Sequence, residues 1–87
     1  MTNFTFPHVT IKAKHSGQML NVSSIHEASE LLAHHWPKNG GRKLTAARKA
    51  CLDGFDGTMS ADDVRRAFIG AAKEIGVYVW EETGEAR

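Results

Sequence analysis

The sequence predicts an α+β domain, ordered β-β-α-α-α-β, in which a three-stranded, mostly antiparallel sheet carries helices packed on one face. Three observations predict it. Two serines, Ser24 and Ser60, are each followed three residues on by an acid, Glu27 and Asp63, and each precedes an apolar run at helical spacing. Residues near the start alternate apolar and polar at the period of a half-buried strand. Near the end, Gly76 leads straight into Val77, Tyr78, Val79 and Trp80, the β-branched and aromatic composition of another strand.

Taken in order, residues 1–6 read as a loose arm with Phe4 and Phe6, and Pro7 marks where strand pairing begins. Val9, Ile11 and Ala13 alternate with Thr10 and Lys12, then His15, Ser16 and Gly17 make a turn into a second short strand at residues 19–22. The first helix opens at Ser24 with Glu27 completing a capping box, and carries Ile25, Ala28, Leu31, Leu32 and Trp36 on its apolar arc. Pro37 disfavours helical geometry at Trp36 and stops it there. After a loop at 38–42, a second helix spans about 44–52 with Leu44, Ala47 and Cys51 on one face and Phe55 just beyond. Gly54 and Gly57 bracket the link to the third helix.

The third helix is the best specified. Ser60 caps it, and Asp62 and Asp63 place negative charge in the first turn, where the helix dipole favours it. Val64, Ala67, Phe68, Ala71 and Ile75 share one face, within about 100° of one another. The last strand is expected antiparallel beside the first, giving order 2-1-3, with a parallel position beside the second strand as the alternative. Residues 81–87 read as a frayed, polar tail.

With 87 residues the chain is a single domain, whose stability should be roughly 4–13 kcal/mol. A formal charge of +1 gives no bulk attraction to nucleic acid or membrane. One cysteine forms no internal disulfide, no secretion signal is visible, and no apolar run approaches the roughly 20 residues that span a bilayer. A cytoplasmic protein with no membrane partner is the expectation.

Phe6-Pro7-His8-Val9, Trp36-Pro37, Ala47 with Cys51, Gly57, Ser60, Arg66-Ala67-Phe68, Ala71-Ala72 and Gly76-Val77 together resemble a small bacterial family, domain of unknown function 982, over nearly the whole chain. The resemblance implies a stand-alone small cytoplasmic protein and brings no cofactor and no catalytic residue with it. The shared positions are mostly apolar, small or turn residues, of the kind that keep a fold.

Two surfaces carry candidate functions. Segment 38–49 holds Lys38, Arg42, Lys43, Arg48 and Lys49 with no acid among them. Several sit at the start of the second helix, where the dipole is already positive, and Gly40 and Gly41 leave amides open to a phosphate. That is a candidate anion or nucleic-acid contact. Its rival is a solvated basic face, partly neutralised by Asp53, Glu27 or Glu30. The second surface is the sheet face away from the helices, where strand parity puts Tyr78 and Trp80, with Thr10, Lys12, Met19 and Asn21 beside them. Such a face could stack unpaired bases, form a protein interface, or be covered by the arm with Phe4 and Phe6. Ile69 points off the main apolar arc, toward a neighbouring helix or a second subunit. Lys12, Met19, Ile69, Tyr78 and Trp80 are therefore the candidate protein contacts.

Other chemistry is weaker. The last two helices could be taken for a helix-turn-helix reader offering Arg65, Arg66 and Lys73, but Asp62 and Asp63 would meet phosphate first. Five histidines lack the i, i+4 pair or Cys-x-x-Cys spacing of a zinc site, and no cofactor is expected. His35 falls on the apolar side of its helix, as a hydrogen-bonded core histidine, whereas His34 can pair with Glu30. Cys51 reads as an inert small hydrophobe, and Asp53, Asp56, Asp62 and Asp63 as turn and cap residues. No set of groups converges as in an enzyme. The expectation is a non-enzymatic interaction module that self-associates through the sheet, with a nucleic-acid or phosphate binder as the alternative.

Overall fold

The computed structural model describes residues 4–13, 16–37 and 41–81. Its elements are β1 (Thr5–Lys12), β2 (Met19–Ser24), α1 (Ile25–His34), α2 (Arg42–Asp56), α3 (Ala61–Glu74) and β3 (Tyr78–Glu81). The sheet has order β2-β1-β3, with both pairs antiparallel. α1 lies on β2, α3 lies on β1 and β3, and α2 packs chiefly against α1 and α3.

The caps form as their spacing predicts. The Ser24 hydroxyl accepts the Glu27 N–H at 3.1 Å, and the Ser60 hydroxyl accepts the Asp63 N–H at 3.1 Å. Glu27 reaches back one residue past the cap, where its Oε1 accepts the Ser23 N–H at 2.8 Å. Each serine satisfies a donor that the helix leaves without an intrahelical partner. α1 ends one turn before Pro37, with His35 as C-cap, and the Trp36 ring lies 5.5 Å from that of Phe68.

The core joins the inner face of the sheet, Val9, Ile11 and Val22, to Ile25, Ala28 and Leu32 of α1, Ala47, Ala50 and Cys51 of α2, and Val64, Phe68, Ala71 and Ala72 of α3. Phe68 is the largest wholly buried side chain. The alanine-rich faces let the helices approach closely. Burying a side chain such as Phe68 removes apolar surface worth roughly 1.5–3 kcal/mol from water.

Several boundaries differ from the sequence reading, each for a local reason. β1 begins at Thr5, so Thr5 and Phe6 of the expected arm belong to the first strand, and 1–3 lie outside the described residues. Phe6 is buried, and Phe4 sits edge-on to Phe55 and His26 at 5.5 and 5.7 Å. Neither ring covers Tyr78 or Trp80. α2 continues to Asp56, beyond the expected end at 52, and runs through Gly54. A Cβ on Gly54 would stand 2.8 Å from both Ile25 Cδ1 and Val64 Cγ2, so this glycine is a contact point of three elements. The stop is Gly57, whose φ of 82° is the left-handed conformation that ends helices. Glu81 belongs to β3 and is not part of a frayed tail; 82–87 lie outside the described residues.

Candidate functional site

Strand register decides which side chains reach the open face of the sheet. Thr10 is opposite Trp80, but the next residue, Ile11, is opposite Tyr78. One step on β1 thus answers two on β3, and the extra residue, Val79, forms a bulge. Directly opposed residues share a face. Trp80 therefore lies on the open face with Thr10, whereas Tyr78 lies on the helix side with Ile11. Tyr78 and Trp80 do not share a face as plain alternation predicts, and Val79, expected inside, is exposed.

On the helix side, Tyr78 joins a polar network at the junction of β3 and α3. Its hydroxyl donates to Glu81 Oε1 at 2.6 Å, and Lys73 Nζ stands 4.9 Å from its ring centroid. Glu81 Oε2 in turn meets Arg65 Nη2 at 3.3 Å, and Arg65 Nε donates to the Pro7 carbonyl at 2.9 Å. The hydrogen bond to Glu81, then desolvation and the Glu81 charge, push the Tyr78 hydroxyl above its usual pKa against the opposing pull of Arg65. Sequence periodicity missed this role for Arg65, which is 7% exposed. The available signal was position: Arg65 follows Val64 directly and so borders the buried face of α3.

The open face holds Trp80, 54% exposed, with its ring 5.2 Å from that of His8. Thr10 donates to Asn21 Oδ1 at 2.7 Å, and Lys12 and Met19 are opposed across β1 and β2, both exposed. Of the five candidate contacts, the structure brings Lys12, Met19 and Trp80 to this face. It puts Tyr78 behind it, and Ile69, 8% exposed, inside the core, where the expected neighbour is supplied by the protein's own elements.

The basic segment is spread over the N-terminal half of α2. Lys38 lies outside the described residues. Glu74 of α3 accepts the Lys43 N–H at 2.9 Å, and its carboxylate stands where a side chain on Gly41 would collide with it. The Lys43 amide at this helix start thus already meets an anion, the chain's own carboxylate. Lys49 pairs with Asp53 at 3.2 Å, while Glu27 is held by Ser23 and Glu30 lies 3.7 Å from His34. Arg42, Lys43 (whose bond to Glu74 is made by its backbone) and Arg48 remain as exposed cations with no ion pair among the described residues.

His35 is exposed, contrary to its reading as a core histidine, because it is the C-cap and has turned off the helical face. The described residues hold no group of three or more His, Cys, Asp or Glu placed to bind a metal. Cys51 is buried, and burial pushes its thiol up to about 11, far from a nucleophilic thiolate at neutral pH. Arg66 is paired with Asp62 and Asp63 at 3.3 and 3.7 Å, so those carboxylates sit at the front of α3 as expected. Among the described residues no helix is long and apolar enough to cross a membrane.

A small three-stranded antiparallel sheet with three covering helices defines a small α+β protein. The family model described as protein of unknown function, DUF982, matches residues 8–79, and the chain belongs to that family. The match takes in β2, all three helices and most of β1, and ends inside β3 at Val79, before Trp80 and Glu81. No curated protein and no solved structure matches the chain.

Proposed function

We propose that the chain is a non-enzymatic interaction module that associates with a second copy of itself through the open face of its sheet. The observation that carries this reading is Trp80, more than half exposed on that face among Thr10, Lys12 and Met19. Tyr, Trp and Met are enriched at the centres of protein contacts, where a large flat side chain gains most from desolvation. A cytoplasmic setting goes with this reading, since Cys51 is a free thiol. Iodide quenching of the Trp80 emission in a Trp36→Phe background tests it. Quenching should rise as the protein is diluted and the face is uncovered; quenching independent of concentration would remove the reading.

A second reading is nucleic-acid or phosphate binding through the segment 38–49. Its support is the exposed set Arg42, Lys43 and Arg48. Fluorescence titration with mixed oligonucleotides at low and raised salt separates the two, because phosphate contacts must weaken steeply with salt.

A further inference from the structure

We infer that the outer edge of β2, together with α1, is a docking groove for an extended peptide carrying a lysine or arginine. This site uses the backbone edge of β2 and not the open-face side chains, and it does not depend on self-association.

Backbone direction locates it. Ala13 N–H donates to Gln18 O, and Lys12 N–H donates to Val77 O, both at 2.8 Å. Successive residues of a strand turn their N–H and C=O groups to opposite edges. On β1, then, Val9, Ile11 and Ala13 face β2, while Thr10 and Lys12 face β3. Through the register, Leu20 and Val22 turn inward to β1, and Met19, Asn21 and Ser23 turn outward. Ser23 confirms the direction, because its N–H is taken by the Glu27 carboxylate at 2.8 Å. Among the described residues Met19 and Asn21 remain, spaced two apart, which is the repeat that an added strand would use.

The two sheet edges are unlike. β3 carries the Val79 bulge and Glu81, devices that discourage pairing with another strand. β2 reads MLNVSS, with neither charge nor proline. An open groove runs between it and α1, floored by Leu20 and Leu31 and walled by His26, Glu27, Glu30 and His35. Among the described residues no lysine or arginine lines it. In an added strand, alternate side chains would point toward α1. A lysine there would lay its stem over Leu20 and Leu31 and carry its ammonium to Glu30. A second copy fits less well, since two β2 edges related by a twofold would oppose their own Glu27 and Glu30.

The test is titration of the full chain, followed by the backbone amide resonances, with a blocked pentapeptide of alternating valine and lysine. The expected result is saturable shifts and slowed hydrogen exchange at Met19 and Asn21. The glutamate counterpart and a backbone N-methylated lysine peptide should leave both unchanged. Glu30→Gln should weaken the lysine peptide by about two- to fivefold, the range of an exposed ion pair, and Trp80→Ser should leave its affinity as it is. No response at Met19 and Asn21 at millimolar peptide, shifts scattered over the other carboxylates, or equal binding of the glutamate peptide would each overturn the inference.

Discussion

Arg65 and Glu81, sixteen positions apart, meet at 3.3 Å and fasten β3 to α3, the guanidinium nearly buried and the carboxylate about a quarter exposed. The asymmetry of their burial sets the order of their mutant costs. Glu81→Ala takes the carboxylate from a guanidinium that water reaches poorly, while Arg65→Met leaves a carboxylate that solvent can still reach. Glu81→Ala should cost about 2–3 kcal/mol and Arg65→Met about 1 kcal/mol. Urea unfolding checks the ranking, and the reverse order would contradict it.

Gly54 and Gly70 are both helical glycines, and replacing each by alanine should act in opposite directions. At Gly54 the new methyl would meet Ile25 and Val64 at 2.8 Å, and overpacking should cost about 1–3 kcal/mol. At Gly70 it would meet only the flexible stem of Lys43, at 3.5 Å. There the helix propensity of alanine prevails, and stability should rise by about 0.5–1 kcal/mol. Thermal unfolding of the two variants reads both signs at once.

Tyr78 gives an alkaline signature. Its native pKa is raised, so above the unfolded tyrosine pKa the native state holds the proton more tightly than the unfolded chain. Stability is then fully present below that unfolded pKa and falls as pH rises through the folded one. Tyr78→Phe should flatten this fall. Unfolding curves from neutral pH into the alkaline range check it, and an unchanged slope in the variant would contradict the raised pKa.

Much of the fold was legible because short-range rules set it. The serine caps at Ser24 and Ser60, the stop at Gly76 and the alternation Val9, Thr10, Ile11 each depend on a few neighbours in sequence, and the family landmarks cover the same stretches. The site was less legible because it depends on contacts between elements. One bulge residue, Val79, reverses the face of Tyr78, and nothing in four residues of strand composition announces it. Gly54 looks like a helix end until Ile25 and Val64 are brought against it. The occupancy of the α2 start by Glu74 joins positions 31 residues apart, which periodicity does not report.

The open face is tested most directly by light scattering of the wild type, Tyr78→Phe and Trp80→Ser across a concentration series. Wild type and Tyr78→Phe should climb toward twice the 9.6 kDa of one chain, while Trp80→Ser stays at the single-chain mass. A wild type that holds the single-chain mass at every concentration would contradict the account.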